Sequence, residues 1–230
     1  MQDKTKLVDG VFTTIYKKYD LMNDVISFGY HRIIKSNALK TCQSGDLLDL
    51  ASGTGDLAIY FRKLFGEKYK ITLADPNPEM LDYAKIRLAK KSVTKNIEFV
   101  ATYAEKLPFK DNSFDNVIIG FGLRNFTNRP KALAEIFRVL RNNGRLIIID
   151  FSKPINPIIN ALNNFYLNNI VPILARFITK NISEYRYLAK SIKEHPNQGT
   201  IIKMMLTVGF TNCRYDNKLN GIISVHYGEK

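Results

Sequence analysis

Apolar residues along this chain follow two rhythms that alternate. Short, almost continuously apolar runs predict strands buried on both faces: "DLLDLA" (46–51), "KITLAD" (70–75), "NIEFVA" (96–101), "FDNVIIGFG" (114–122) and "RLIIIDF" (145–151). Between them lie segments with apolar positions at helical spacing, "DLAIYFRKLF" (56–65), "PEMLDYAKIRLAKK" (78–91) and "RPKALAEIFRVLR" (129–141). The second of these opens on Pro78 and Glu79 and ends in lysines, as the first and last turns of a helix favour. The alternation predicts an α/β architecture with a mostly parallel sheet and helices on both faces. Further on, "GTIIKMMLTVGF" (199–210) predicts a helix, and "TNCRYDN" and "GIISVHYG" predict two final strands. Their short connection favours an antiparallel pair at the edge of the sheet.

The flanks read differently from the middle. Residues 1–45 predict a helical lid ahead of the first strand, helical and semi-polar over 11–40. Residues 154–195 predict a helical insertion in which Ile158, Leu162, Phe165 and Ile173 share an apolar face. Asparagines, Pro172 and Arg176 interrupt that run, so it is not a membrane span. Two readings remain for it: a cap buried over the sheet edge, or an apolar wall for a hydrophobic substrate. No linker or repeat divides the chain, which predicts one domain over residues 1–230.

Composition adds charge and little else. The net charge of +13 raises nucleic acid and anionic lipid as partners. The lysines stand in ones and twos, and no basic stretch is interleaved with aromatics as a stacking groove would be. Nucleic acid is therefore not expected. Solvated lysine faces, with weak attraction to a membrane surface as the competing reading, fit better. Cys42 and Cys213 form no metal-binding or disulfide pattern, and the polar start "MQDKTKLVDG" carries no apolar leader. A cytoplasmic protein without a metal is expected.

The chemistry centres on the turn in "LLDLASGTGDLA" (47–58). Gly53 and Gly55 open torsions closed to other residues and let a ligand approach the backbone, and the following helix offers free N–H groups. On spacing alone, with Asp75 twenty positions beyond Gly55, this is also a dinucleotide fingerprint. Asp49 and Asp56 flank the glycines, and a carboxylate there repels a pyrophosphate. Those acids suit a ligand with an ammonium and a sulfonium, S-adenosylmethionine, and Asp75 serves its ribose equally well.

Six segments occur in one order: "KYDLMNDVISFGYHR" (18–32), the glycine turn, "AEKLPFKDNSFD" (104–115), "FGLRNFTNRPKAL" (121–133), "DFSKPINP" (150–157) and "EYRYLAKSI" (184–192). From about residue 8 onward the chain closely resembles the ubiquinone/menaquinone biosynthesis C-methyltransferase family. "FGLRN" with "FSKP" and "YRYL" is far more specific than the glycine turn, which class I methyltransferases share. The resemblance implies a Rossmann-like, seven-stranded, mostly parallel sheet with an antiparallel last strand. It implies S-adenosylmethionine as cofactor, contacted by Gly53, Thr54, Gly55, Asp75, Tyr103 and Ala104. Tyr103 stands where the family usually has Asn, Gly120 where some members have Ser, and Asp150 where Glu is usual.

The activity implied is methyl transfer to a ring carbon of a polyprenyl quinol, a benzoquinol or a naphthoquinol. Arg124 is the residue expected to hold an ordered water or the developing oxyanion, because a guanidinium is a poor direct base. Asn125 is expected to orient that network, with Tyr19 and Tyr185 closing over the pocket. Competing readings are a methyltransferase for RNA or another small aromatic, and a non-catalytic cofactor-binding module. The substrate's tail implies transient contact with the inner face of the membrane; a homo-oligomer is left open. His31, His195 and His226 lie apart with no ligand spacing and read as structural.

Overall fold

The computed structural model describes residues 24, 27, 29–171, 173 and 183–230. Seven strands form one sheet: β1 (Leu47–Leu50), β2 (Ile71–Asp75), β3 (Ile97–Ala101), β4 (Phe114–Gly120), β5 (Leu140–Phe151), β6 (Thr211–Lys218) and β7 (Ile223–Glu229). Their order is β3-β2-β1-β4-β5-β7-β6. The five strands from β1 to β5 pair in parallel, and β7 runs antiparallel to both β5 and β6. The expected antiparallel pair is present, with β6 at the edge and β7 inside. Chain order reverses between β1 and β4, and a sheet of this kind opens a crevice where that happens.

The helices are α1 (Tyr30–Leu39), α2 (Asp56–Phe65), α3 (Pro78–Lys90), α4 (Arg129–Val139), α5 (Pro157–Phe165), α6 (Ser183–Glu194) and α7 (Gln198–Val208). Alternation along the strands sorts them onto two faces. Leu47, Ile71, Leu73 and Ile118 pack with Ile34 of α1, Phe61 of α2, Leu88 of α3 and Ile192 of α6. Leu48, Leu50, Val117 and Ile119 pack with Ile136 of α4 and Met205 of α7. Each such side chain, fully buried, contributes about 1.5–3 kcal/mol. Both faces are therefore closed, as a parallel sheet requires.

Helix starts follow their local chemistry. Asn77 caps α3 by accepting from Met80 N at 3.1 Å, with Pro78 in the first turn; Asn128 does the same for α4 through Lys131 N at 3.1 Å. The helix expected over 129–141 ends at Val139, because Leu140 is already extended and pairs with Phe114. That lengthens β5 beyond the expected 145–151. The pairing slips between Phe114 and Asn116, and Asn143 takes up a left-handed bend at φ 63°.

The insertion carries α5, a π-helical turn over Tyr166–Ile170, and α6. The reading as a buried cap does not hold for α5, where no residue is buried. Ile158, Leu162, Phe165 and Ile173 are 71%, 62%, 59% and 56% exposed. A run of apolar side chains with few burial partners is left facing solvent, because α5 packs on the π-turn that follows it rather than on the sheet. No helix among the described residues is long and apolar enough to cross a membrane.

Candidate active site

The tips of β1, β2 and β4 enclose a cleft of about 990 Å³ that opens to solvent. It is lined along β1 by Ala51, Ser52, Gly53 and Thr54, at β2 by Asp75 and Asn77, and after β3 by Tyr103, Ala104 and Glu105. Gly120, Phe121 and Asn125 close it on the β4 side.

Unusual backbone makes this opening. Ala51 and Phe121, at the ends of the adjacent strands β1 and β4, sit at φ 55° and 61°, a region that costs a side-chain-bearing residue about 1 kcal/mol or more. Gly122 lies against Ala51 so closely that a Cβ there would stand 2.6 Å from the Ala51 Cβ. Gly53 and Gly55 are left-handed as well, at φ 52° and 78°. They differ in what surrounds them. A Cβ at Gly55 would strike Leu88 at 2.7 Å, whereas one at Gly53 would meet only open space. Gly55 lets the turn pack down on α3, and Gly53 presents bare backbone to a ligand.

Asp75 joins this turn to β2. Its Oδ2 accepts from Gly53 N at 2.9 Å and its Oδ1 from Asn77 N at 2.9 Å, so the carboxylate is fixed at the mouth of the cleft. That is the arrangement a vicinal diol needs. Tyr103 stays half exposed beside buried Ala104, and both line the cleft. The residues expected to contact an S-adenosyl group are thus brought together, except that Gly55 acts from behind the turn. The open cradle at Gly53 and the anchored Asp75 fit that cofactor.

The two acids that flank the glycines, Asp49 and Asp56, are held in different ways. Burial works against the Asp56 charge, but Lys35 (3.3 Å) and Arg87 (2.7 Å) outweigh it and hold the carboxyl below its usual range. Asp49 is fully buried, and neither oxygen meets a partner at hydrogen-bonding geometry. Burial outweighs the nearby Lys35 and the Ala58 backbone, and it pushes the Asp49 pKa well above the ordinary value. Asp56 is thus held as a charged carboxylate between two cations at the cleft wall, and Asp49 is fully buried within β1.

Arg124 and Asn125 lie in a short 3-10 turn after β4, and the structure separates them. Asn125 lines the cleft, where its Oδ1 accepts from Tyr187 Oη at 3.0 Å. Burial raises the Tyr187 pKa, which keeps that hydroxyl a neutral donor. Arg124 stands behind the cleft wall, 2% exposed. Its Nη1 donates to Asp150 Oδ1 at 2.9 Å and to the Phe121 carbonyl, while its backbone N donates to Asp150 Oδ2 at 3.0 Å. Burial alone would raise the Asp150 pKa; Arg124 and His195 reverse it and hold the carboxyl below its usual range. The Asp that replaces the usual Glu here therefore grips Arg124. Tyr19 lies outside the described residues, as does the side chain of Tyr185.

Three contributors had no role assigned from the sequence. Lys35 reaches the cleft wall from α1. Glu105 accepts from Thr127 N and Asn128 N at 2.9 and 3.0 Å through Oε1, pinning the loop after β4. Tyr187 meets Asn125 across 62 positions of chain. Glu105 and Tyr187 were visible beforehand only inside "AEKLPFKDNSFD" and "EYRYLAKSI", without a role, and Lys35 lay outside every motif. The three histidines are buried, and burial lowers the pKa of each to about 4. Among the described residues, no group of His, Cys, Asp and Glu is placed to hold a metal ion.

Comparison with known proteins fits this geometry. The model of the ubiE/COQ5 methyltransferase family matches residues 1–230. The ubiquinone/menaquinone biosynthesis C-methyltransferase UbiE of Francisella tularensis subsp. novicida is 46% identical, covering 100% of this chain and 93% of that protein. The protein of the same name from Teredinibacter turnerae is 43% identical over 99% of this chain and 93% of its own length. Among solved structures, a SAM-dependent methyltransferase from Aquifex aeolicus superposes with a TM-score of 0.66 at 20% identity, covering 94% of this chain and 97% of that one. One from Thermotoga maritima, described as a possible histamine N-methyltransferase, gives 0.68 at 19% identity, covering 96% and 99%. At these identities the solved structures speak for the fold.

Proposed function

The chain belongs to the ubiE/COQ5 methyltransferase family, and from that premise we propose how its cleft methylates a polyprenyl quinol and where the rest of that substrate lies. The enzyme is an S-adenosylmethionine-dependent C-methyltransferase of quinone biosynthesis. The observation that carries the site assignment is the pairing of the open cradle at Gly53 with the fixed carboxylate of Asp75.

When bound, S-adenosylmethionine supplies an electrophilic methyl on a sulfonium. Asp75 accepts hydrogen bonds from the ribose hydroxyls, Gly53 and Thr54 offer backbone, and Tyr103 and Ala104 flank the adenine. The protein's main task is then alignment: an electron-rich ring carbon must sit in line with the S–CH3 bond with water excluded. Asn125 faces the ring and is oriented by the Tyr187 hydroxyl. Its amide polarises a phenolic oxygen as negative charge grows there, and the ring proton leaves once the new C–C bond has formed.

Arg124 acts through position. Its bonds to Asp150 and to the Phe121 carbonyl hold the turn that presents Asn125, and its fixed positive charge favours a nearby oxyanion.

The isoprenoid tail leaves the cleft toward the leaflet in which it dissolves. The apolar face of α5, with Ile158, Leu162 and Phe165 exposed and no charged side chain on the helix, offers it a surface, and Ile173 extends that surface. The enzyme thus works at the inner face of the membrane without spanning it. Methylation assays on benzoquinols and naphthoquinols, each with and without a tail, test this reading. Methyl incorporation that depends on the quinol ring and improves with the tail is the expected result. Incorporation indifferent to the tail removes the role of α5, and incorporation into RNA alone removes the quinol.

A further inference from the structure

Lys35 lines the cleft, yet the roles assigned above leave it without one. It stands on α1, outside the sheet, and only 5% of its side chain is exposed. Burying a lysine that thoroughly is costly unless its charge has partners. Its Nζ lies 3.3 Å from Asp56 Oδ2 and 5.7 Å from the centre of the Phe121 ring. Asp56, however, is shared: Arg87 donates to the other oxygen at 2.7 Å. One carboxylate faces two cations. Asp49, which also senses Lys35, is fully buried and pushed toward its neutral form. Asp56 opens α2, so the positive end of the helix dipole adds to the same surplus. In the Lys35–Asp56–Arg87 group itself, two cations share one carboxylate.

The side of the cleft matters as much as the sign. Asp75 fixes the ribose at the tip of β2, so the methionyl portion of the cofactor runs across the glycine turn toward β4. Lys35 waits there. A Cβ at Gly120 would stand 3.9 Å from the Lys35 Cε and 2.8 Å from Leu57, so the space of a side chain at 120 is taken up by these two residues.

We propose that Lys35 binds the carboxylate of the methionyl portion of S-adenosylmethionine, the anion that balances the Lys35–Asp56–Arg87 group. The proposal rests on the cofactor assigned above and goes beyond it to one residue and one charged group of the ligand. It makes α1 part of the cofactor site.

Decarboxylated S-adenosylmethionine, which lacks only that carboxylate, is the probe. Calorimetric titration of the wild type, Lys35→Met and Lys35→Arg with both ligands gives the comparison. The wild type is expected to bind the complete cofactor at least tenfold tighter than the decarboxylated one. Lys35→Met loses at least tenfold for the complete cofactor and less than twofold for the decarboxylated one, which also shows that the variant is folded. Lys35→Arg keeps most of the preference. Equal losses for both ligands would mean that Lys35 only braces Asp56. Unchanged binding of the complete cofactor by Lys35→Met, or a wild type that does not distinguish the ligands, overturns the proposal. A wild type that binds neither ligand strikes the cofactor assignment itself.

Discussion

The turn after β4 and the helix α5 are two parts of one enzyme built on opposite terms. In the turn, Arg124 is buried against Asp150, Asn125 is held by Tyr187, and Glu105 ties down the loop that follows. Polar groups there are fixed by other polar groups. Along α5, apolar side chains stand exposed and no residue of the helix is buried. The first arrangement costs stability to disturb and holds the turn at several points at once. The second costs little to alter and keeps an apolar surface available. The contrast matches the two proposed tasks, positioning of the ring, which needs rigidity, and capture of a hydrocarbon tail, which needs exposed area.

Removal of one polar partner should break that contrast most severely. Asp150→Ala leaves the Arg124 guanidinium buried without its carboxylate, a loss of about 3–5 kcal/mol. The urea midpoint should fall accordingly, and a fall under about 1 kcal/mol would show the pair to be ornamental to the fold.

Acid attacks the sheet and spares α5. His31, His195 and His226 have pKa values lowered to about 4 by burial, against 6.5 when unfolded. The unfolded chain therefore binds more protons between pH 6.5 and 4, and stability is lost as the pH falls through that window. A tenfold difference in proton affinity between the folded and unfolded chain is worth about 1.4 kcal/mol. Asp49 runs the other way, because its pKa is raised in the folded state, and it offsets part of the loss. The expected outcome is a net decline of a few kcal/mol from about pH 7 to 4 in urea unfolding, and a flat profile would contradict the burial of the histidines.

Within the cleft, Asp75→Ala removes the acceptor for the ribose and the anchor for Gly53 N. Binding of S-adenosylmethionine should weaken by about 1.5–3 kcal/mol. Calorimetry that finds unchanged affinity displaces Asp75 from the site.

Arg124→Lys keeps the charge and loses the planar fork that spans Asp150 and the Phe121 carbonyl. Turnover should drop at least tenfold, about 1.4 kcal/mol in the barrier, while cofactor affinity changes less than twofold. Normal turnover would confine Arg124 to the fold. The mildest change in stability falls on α5: Phe165→Ser should shift unfolding by no more than about 0.5 kcal/mol. It should nevertheless reduce sedimentation with anionic vesicles and raise the KM for a tailed quinol. If both stay at the wild-type level, the face of α5 does not meet lipid.

Sequence pattern made most of the frame legible. Buried parallel strands read as apolar runs, and Pro78 and the glycine turn mark local starts that do not depend on distant partners. The end of α4 was misplaced because Leu140 suits a helix or a strand equally, and only its pairing with Phe114 decides. At the site, Asp75 and Gly53 were legible because about twenty residues separate them along one β-α-β unit. The grouping of Asp56 with Lys35 and Arg87 was not, since three separate helices bring them together. The positive φ of Ala51 and Phe121 left no trace either; neither residue type favours that region, and only the packing of the two strand tips imposes it.

The position of β7 governs the order in which this molecule is made. Residues 211–218 leave the ribosome before 223–229, yet β6 has no strand to pair with until β7 has been laid against β5. Throughout that interval the run Ile147-Ile148-Ile149 presents an unpaired backbone edge, the kind of template that recruits strands from neighbouring chains. Chains truncated between residues 218 and 223 should therefore aggregate more readily than the full chain, because they carry β6 and the open edge of β5 without the strand that joins them.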